Sequence, residues 1–479
     1  MDMYRTGRLY TAATAAKKIA HSCAWAVFIA LAACCTMGSF MTNGNLPRQD
    51  TLHLRQEDRI LILAPHPDDE ILGCAGVVEQ AKKMGIPLKI VFLTYGDNNQ
   101  WSFLVYRKHP VVMPKAAEAM GMIRHDEALK ADDSLGVTPD EAVFLGYPDF
   151  RTFEIWSARW GNSPPAKSML TEARAVPYDN AFRPGAPYKG EEIEADLKAI
   201  IKAFKPTKIF VSHPADHNGD HQALYLFTRV ALWDLGEEIK PRLYPYLIHF
   251  KKWPLPRGYH PARPLLPPDF FAGKIPWDTL PLDADQVVLK HKAIKLHRSQ
   301  YRSSAQYLLS FIRANELFGD FPAVALTQKK VSFALVPSRD EELREFPEEL
   351  VDQERASFVG VKEEYVSRED DSIVFSIRFS KPLGKEVGVS LFIFGYKRGI
   401  LFEAMPKLHL KFGSLGFLVL DQKRRLRAHN IIQVVRRAKE ITIRVPLSLL
   451  QNPDKILINT TTYLGNVPLD VVSWRIIEL

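Results

Sequence analysis

The sequence predicts an α/β domain built on an open parallel sheet, followed by a C-terminal antiparallel β-sandwich. The first prediction rests on residues 59–226, where short apolar strands alternate with helices and the strands end in polar residues. Repeated strand–helix–strand units imply parallel strands with right-handed crossovers, and the resulting Rossmann-like sheet carries helices on both faces. The second rests on the chain beyond about residue 330, where apolar and polar residues alternate in short segments separated by turns.

Each element of the first domain has its own local pattern. Residues 59–65 form an apolar run bounded by charge and proline, as expected for a strand buried on both faces. Apolar residues then recur at helical spacing from Ile71 to Ala81, until Gly85 ends the helix. The same patterns predict strands at residues 86–97, 142–149 and 207–217 and helices at 116–132, 191–204 and 284–303. The proline-rich and aromatic residues 240–287 predict a strand followed by a long loop over the edge of the sheet.

The first 34 residues predict an export signal and are set apart from the fold. Four basic residues precede an apolar run from about Ala24 to Ala33, which is too short to span a bilayer comfortably but suits a signal-peptide core. Residues 31–34, Leu-Ala-Ala-Cys, resemble the lipobox of bacterial lipoproteins, whose cysteine is acylated. We therefore predict export to the bacterial cell envelope, a lipid anchor on Cys34 that holds the protein at the membrane, and a tether over residues 35–56. One alternative is an uncleaved membrane anchor. The other is a plain signal peptide, whose removal would leave the protein periplasmic or extracellular.

Length and composition limit the remaining classes. A chain of 479 residues favours two domains, which we place at residues 57–330 and 340–479. The net charge of +8 is modest and no basic, aromatic-interleaved motif occurs, so no nucleic-acid partner is expected. Cys74 is the one cysteine inside the predicted domains, which excludes a disulfide framework and a cysteine-based metal site.

Polar side chains follow three of the predicted strands, after residues 64, 93 and 211. Because ligands bind beyond the carboxyl ends of parallel strands, these clusters are expected to meet at one edge of the sheet. His66 and Asp69 lie three residues apart there, so an imidazole and a carboxylate can reach a common metal ion. Catalytic zinc typically takes three protein ligands, and residues 213–225 offer candidates for the third. The structural alternative is a turn followed by a helix cap, a position that aspartate favours.

These motifs carry a family resemblance. Residues 66–70 read His-Pro-Asp-Asp-Glu directly after a strand, and five further motifs follow in order at 93–97, 124–128, 144–149, 219–223 and 297–300. In these motifs the chain resembles the PIG-L/LmbE family of zinc-dependent de-N-acetylases over residues 58–305. The resemblance implies a metal-dependent N-deacetylase that hydrolyses an N-acetyl group on a glucosamine-type sugar in a glycan or glycoconjugate.

Carried over by position, the resemblance also implies the roles of single residues. His66, Asp69 and His221 would bind one zinc ion per chain. Asp68, which adjoins the ligands, would be the general base that takes a proton from the attacking water. The alternatives are a zinc hydrolase of a different amide or ester and a non-catalytic cell-surface protein that binds sugar.

One position departs from the family pattern. Asn218 stands where many members carry a histidine that assists catalysis, and His217 precedes it. Either His217 takes this role, which we favour, or Asn218 supports the oxyanion as a neutral amide. Asp97, Arg124 and Asn218 are the candidate substrate-binding residues. Asp97 could instead be a turn residue, and Arg124 could pair with Glu127 one helical turn away.

The C-terminal region lies outside this resemblance. Its end faintly resembles carbohydrate-binding sandwich modules whose last strand bears a Trp-Arg pair, here Trp474 and Arg475. Two interpretations stay open. The region is either a sugar-binding module that can be separated near residue 335, or a packing domain with Trp474 in its core.

Overall fold

The computed structural model of the chain describes residues 49–99, 104–106, 113–271, 275–326, 332–336, 357–413, 416–428, 430–465 and 467–479. The predicted signal peptide, Cys34 and most of the predicted tether lie outside these ranges. Within them, no helix combines the length and the apolar character that crossing a membrane requires.

A mixed sheet of eight strands forms the centre of the first region. Its strands are β1 (Gln49–Thr51), β2 (Ile60–Ala64), β3 (Leu88–Thr94), β4 (Ala142–Tyr147), β5 (Lys208–Ser212), β6 (Arg242–Tyr246), β7 (Trp277–Pro281) and β8 (Asn315–Gly319). They lie in the order β1-β7-β8-β6-β5-β2-β3-β4. Every residue of β2 is buried, as expected for an uninterrupted apolar strand inside a sheet.

The strand directions agree with the prediction in the middle of this sheet and depart from it at one side. The neighbours β4-β3-β2-β5-β6 are all parallel. The prediction of an all-parallel sheet is wrong at β8, which runs antiparallel to β6 and β7. Two consecutive helices separate β7 from β8. The chain therefore enters β8 in the direction opposite to the one that a single crossover helix would give. At the edge, β1 pairs with β7, so a short strand lies inside the segment predicted as a tether.

The α-helices beside the sheet fall into two groups. They are α1 (Asp69–Met84), α2 (Pro114–Asp133), α3 (Thr152–Ala158), α4 (Gly190–Phe204), α5 (Gly219–Leu235), α6 (Ala284–Leu296) and α7 (Arg298–Leu308). Contacts join α1, α2, α6 and α7 in one group and α3, α4 and α5 in the other. The predicted end of α1 is confirmed: Gly85 adopts a left-handed conformation with φ of 69°, which glycine tolerates without strain.

The strand order defines where a ligand can bind. From β2 the chain adds β3 and β4 on one side, and it later returns to place β5 and β6 on the other side. The order therefore reverses between β2 and β5, and the loops after these two strands diverge to leave a crevice at their carboxyl ends. His66 and His221 both lie on segments that follow these strands.

The C-terminal region is rich in strands. They are β9 (Val324–Ala325), β10 (Ser332–Val336), β11 (Val361–Glu369), β12 (Ser372–Phe379), β13 (Val387–Tyr396), β14 (Lys407–Phe412), β15 (Phe417–Asp421), β16 (Arg424–Arg425), β17 (Gln433–Arg437), β18 (Glu440–Pro446), β19 (Lys455–Leu464), β20 (Val467–Val471) and β21 (Arg475–Glu478). These strands pair antiparallel except for the parallel pair of β9 and β21. One sheet has the order β10-β11-β12-β18-β17, and the other has the order β16-β15-β14-β13-β19-β21-β9 with β20 on β19. Both sheets bury apolar side chains in one cluster.

Aromatic side chains join the two regions. The ring centroid of Trp474 lies 6.2 Å from that of Phe153 and 6.3 Å from that of Trp156, and Trp156 lies 5.3 Å from Phe402. Trp474 is only 2% exposed and Arg475 is also buried, so neither presents the open surface on which a sugar could lie. Residues from Gln49 to Leu479 form one compact unit. These contacts favour the packing interpretation of Trp474, while the exact domain boundaries stay a prediction.

Trp474→Ala is expected to lower the free energy of unfolding by about 3–5 kcal/mol, because it leaves a cavity in a buried aromatic cluster. Urea unfolding of the two proteins measures the difference. The control is Val435→Ala, whose side chain is 56% exposed and which should change the free energy by about 0.5 kcal/mol or less. A stable Trp474→Ala protein that has lost affinity for a glycan would restore the sugar-binding interpretation.

Candidate metal centre

Three side chains reach one point from two strand ends. His66 lies two residues beyond β2, Asp69 is the first residue of α1, and His221 is the third residue of α5. All three are buried. Asp69 also fixes the turn between β2 and α1, because its Oδ2 accepts a hydrogen bond of 3.0 Å from the backbone N–H of His66. The N-terminus of α1 adds a favourable field for the Asp69 carboxylate.

The ligand atoms of these side chains form a nearly equilateral triangle. Asp69 Oδ2 lies 3.1 Å from both His66 Nδ1 and His221 Nε2, and the two nitrogens lie 3.3 Å apart. Tetrahedral zinc with bonds of about 2.0–2.2 Å separates its donor atoms by about 3.3 Å. The triangle therefore fits a tetrahedral metal ion that keeps its fourth position open.

Carboxylates orient both imidazole rings. His66 Nε2, on the far side of the ring from the triangle, lies 3.1 Å from Asp149 Oδ1 and 3.2 Å from Asp220 Oδ2. His221 Nδ1 lies 3.1 Å from Asp216 Oδ2. Such partners fix the tautomer and raise the basicity of a metal-binding imidazole. His66, Asp149 and Asp220 also form a second group of closely spaced ligand atoms.

The carboxylates around the triangle favour positive charge at this point. Burial works against a charge on His66, yet Asp149, Asp220 and Asp69 raise the pKa of this histidine well above its usual value. His221 is likewise buried, and Asp216 and Asp69 raise its pKa to about 9. Burial would raise the pKa of Asp69, but His221 and His66 hold it well below the usual range. Positive charge among these carboxylates can come from protons on the rings or from a divalent ion.

Asp68 adjoins the triangle without belonging to it. It occupies the N-cap position of α1, but its side chain makes no capping hydrogen bond, so a capping role does not account for it. Its φ of 145° lies in a region that only glycine adopts readily. The side chain is 13% exposed, and its Oδ1 lies 3.4 Å from Arg124 Nη2. Burial raises the pKa of Asp68 to about 7, against the attraction of Arg124.

Arg124 ties together the loops that follow β2 and β3. The buried guanidinium donates to the carbonyl oxygens of Pro67 at 2.9 Å and Gly96 at 3.0 Å. A Cβ at Gly96 would lie 2.1 Å from Arg124 Nη1 and displace the guanidinium, and the φ of 65° at this position also favours glycine. The expected pair with Glu127 does not form, because the Glu127 carboxylate accepts from the N–H and hydroxyl of Ser299 instead. Arg124 therefore supports the loop of Asp68, and a contact with substrate stays a prediction.

Asp97 also lies at this edge but is buried, with 2% exposed. Its Oδ2 accepts a hydrogen bond of 2.6 Å from the hydroxyl of Tyr178. Burial and the charge of Asp149 raise the pKa of Asp97 to about 7. The contact accounts for its position, and its predicted role toward substrate stays untested.

The two candidates for the second catalytic role contact other groups. Asn218 caps α5, with its Oδ1 accepting from the backbone N–H of Asp220 at 2.8 Å. His217 is exposed, and its ring centroid lies 4.9 Å from that of Phe250. His217 is not among the residues whose ligand atoms converge in the described part of the chain.

His249 also lies beside the triangle, although the sequence patterns did not identify it. One ligand atom from each of His66, Asp69, His221 and His249 lies within 4.8 Å of the others. His249 follows β6, and Tyr307 lies close by, with its hydroxyl 3.3 Å from His249 Nδ1. Burial lowers the pKa of His249 to about 4, so the ring is neutral at pH 7. The missed signal was a histidine directly after an apolar strand, the pattern that identified His66.

Part of the first region matches a known protein family. Residues 61–232 match the family described as PIG-L: GlcNAc-PI de-N-acetylase. The chain therefore contains a PIG-L family domain, which includes His66, Asp69 and His221. None of the curated proteins compared with the chain matches it.

Several solved structures resemble the chain at low identity. The N,N'-diacetylchitobiose deacetylase from Pyrococcus horikoshii is 18% identical, with 55% of this chain and 82% of that chain covered and a TM-score of 0.34. The conserved protein TT1542 from Thermus thermophilus is 19% identical, with 53% and 84% covered and a TM-score of 0.32. A 4-carboxy-2-hydroxymuconate hydratase from Pseudomonas putida is 16% identical, with 56% and 98% covered and a TM-score of 0.31. Likeness at this level does not define the reaction.

The purified protein is expected to bind about one divalent metal ion per chain, and alanine at His66, Asp69 or His221 should each remove most of it. Each substitution deletes one corner of a three-atom site. Elemental analysis after dialysis measures the metal content. His53→Ala, at an exposed histidine outside the site, should leave it unchanged. Full metal content in His221→Ala would assign the third ligand to His249.

Proposed function

We propose that the chain is a zinc-dependent hydrolase that removes an N-acetyl group from a glucosamine-type sugar in a glycan or glycoconjugate. The observation that carries the proposal is the triangle of His66 Nδ1, Asp69 Oδ2 and His221 Nε2. The match of residues 61–232 to a family described as a GlcNAc-PI de-N-acetylase supports the reaction and the sugar.

Zinc is the metal that suits this donor set. Two imidazole nitrogens and one carboxylate oxygen, with an open fourth position, are the ligands of many catalytic zinc sites. His66, Asp69 and His221 would hold the ion, and the carboxylates behind the rings would keep the coordinating nitrogens aimed at it. When bound, zinc supplies a Lewis acid that activates water at neutral pH and polarises a carbonyl group.

The chain's own residues supply the proton transfers. Hydrolysis adds water across the amide: the C–N bond breaks, and acetate and a free amine form. The Asp68 carboxylate accepts the proton of the attacking water and returns it to the nitrogen of the leaving amine. Arg124 keeps the Asp68 loop in place through its hydrogen bond to Pro67.

The second catalytic role falls to His249 in this proposal. Its neutral ring lies with the triangle and can offer an N–H to the developing charge on the carbonyl oxygen. His217, which the sequence favoured, remains the alternative, since an exposed side chain can turn toward a bound substrate. Asn218 would need to leave its place at the N-cap of α5.

We also propose the finer features of the fold. The order of the five parallel strands supports a Rossmann-like arrangement around the site. The common apolar cluster of the two C-terminal sheets supports a β-sandwich. The buried position of Trp474 supports a role of this sandwich in stabilising the first region.

Asp68→Asn is expected to retain the metal and to lose roughly a hundredfold or more in rate, because the amide cannot accept the proton of water. Acetate release from N-acetylglucosamine oligomers, peptidoglycan fragments and N-acetylated glycolipids measures the rate, and elemental analysis measures the metal. A variant that works near the wild-type rate would exclude Asp68 as the base. A zinc-loaded wild-type protein that releases no acetate would point to a different amide or ester, or to sugar binding without catalysis.

The same assay assigns the second role. His249→Ala should lower kcat more than His217→Ala, because only His249 lies with the metal ligands. The opposite order would return the role to His217.

The N-terminus should carry lipid on Cys34, with the mature chain held at the membrane surface. The basic leader and the Leu-Ala-Ala-Cys sequence support this export and anchoring. Mass spectrometry of the mature N-terminus after bacterial expression measures the modification. Cys34→Ala should remove the lipid and the membrane association. An unacylated wild-type chain that begins beyond Cys35 would indicate a simply secreted protein.

A further inference from the structure

Phe150 places an aromatic ring where the backbone would suit glycine. It follows the buried Asp149 and has a φ of 58°, in the left-handed region. Bulky residues rarely adopt this conformation, whereas glycine adopts it without strain. The side chain is nevertheless a phenyl ring, and 54% of it is exposed. Packing therefore gains little from the ring, and strain of this kind concentrates at functional sites.

The ring stands beside the candidate metal ligands. Its centroid lies 6.2 Å from that of His66, with 33° between the two planes. The backbone N–H of Phe150 donates to Asp220 Oδ2 at 2.6 Å, and the same oxygen lies 3.2 Å from His66 Nε2. One carboxylate thus fixes both the backbone under the ring and the imidazole of the triangle.

A second exposed apolar side chain lies on the same edge. Met169 is 57% exposed, and its sulfur lies 3.5 Å from Asn98 Nδ2. The backbone N–H of Asn98 donates to Asp149 Oδ2 at 3.0 Å. Phe150 follows Asp149 in the chain, and Met169 is linked to Asp149 through Asn98. We name these two exposed side chains the apolar lip.

We propose that Phe150 is the platform on which the sugar ring of the substrate lies, an inference that rests on the function proposed above. A pyranose ring has a face of C–H groups, which a planar aromatic ring can cover while the hydroxyls at the edge stay free to hydrogen-bond. Small-molecule sites combine such apolar walls with a few polar groups. At this edge Phe150 supplies the wall, and the polar groups of the metal centre adjoin it through Asp220.

The shape and surroundings of the lip favour a sugar over an acyl chain. The lip consists of one phenyl ring, which is flat, and one thioether, whereas an acyl chain needs a long groove of apolar side chains. The described contacts beside the lip are with Asn98, Asp149 and Asp220, which are polar. Phe150 would therefore select substrates by binding the sugar ring that carries the acetamido group.

The test compares Phe150→Gly, Phe150→Leu and Phe150→Tyr in the full-length, zinc-loaded protein with N,N'-diacetylchitobiose as the probe. Phe150→Gly should raise KM roughly tenfold, the order expected for losing an aromatic stacking partner, and change kcat much less. Its thermal midpoint should stay the same or rise, because glycine relieves the backbone. Phe150→Leu should raise KM to a similar extent, and Phe150→Tyr should resemble the wild type. The control Leu401→Ala, at a side chain 64% exposed in the C-terminal region, should change none of these.

A binding measurement separates this inference from the proposed reaction. In nuclear magnetic resonance spectra, the ring C–H protons of bound N,N'-diacetylchitobiose should shift upfield with the wild-type protein. This shift should be lost with Phe150→Leu. If the wild type releases no acetate but shows this pattern, the reaction fails and the platform stands. If acetate is released and Phe150→Leu matches the wild type, the platform is wrong. A Phe150→Gly protein with a lower thermal midpoint and less zinc would also overturn it, because the residue would then be structural. A wild-type protein that binds no sugar overturns both.

Discussion

The carboxylate of Asp220 is the contact on which the candidate site depends. Its Oδ2 lies 3.2 Å from His66 Nε2 and accepts from the N–H of Phe150, while Oδ1 accepts from the N–H and hydroxyl of Thr152. These partners come from segments after β2 and β4, whereas Asp220 itself lies in α5, next to His221. Removing the hydrogen-bond partners of a buried carboxylate costs far more free energy than removing those of an exposed carboxylate. Three segments distant in sequence are therefore held in one arrangement.

This arrangement gathers negative charge that needs positive charge beside it, from protons on the rings or from a metal ion. Four buried carboxylates surround the rings of His66 and His221, namely Asp69, Asp149, Asp216 and Asp220. Buried like charges are costly unless positive charge neutralises them. The proposed metal would supply that charge while leaving both rings neutral. The carboxylates that are costly to bury without a metal would therefore also be the source of metal affinity.

The C-terminal region reaches the site through one short helix. The helix α3 has seven residues, too few to be stable in isolation, and Trp156 within it stacks on Phe402 and touches Trp474 at its edge. The first residue of α3 is Thr152, which holds Asp220. Packing of the C-terminal sheets on α3 therefore stabilises the loop that carries Asp149 and Phe150. This connection gives the region a role that does not require it to bind sugar.

The sequence by itself determined the features that depend on neighbours along the chain. The apolar run of β2, the helical spacing of α1 and the separation of three residues between His66 and Asp69 predicted their position at a strand end, and the family motifs added His221. Tertiary structure alone decided which other segments meet there. His249 and Asp149 lie at the site because β6 and β4 belong to the same parallel set. The reversed direction of β8, the burial of Trp474 and the exposure of Phe150 likewise depend on strand order and on contacts between distant segments. Local propensity carries no information about those contacts, because it reflects only the conformations open to each short stretch of backbone.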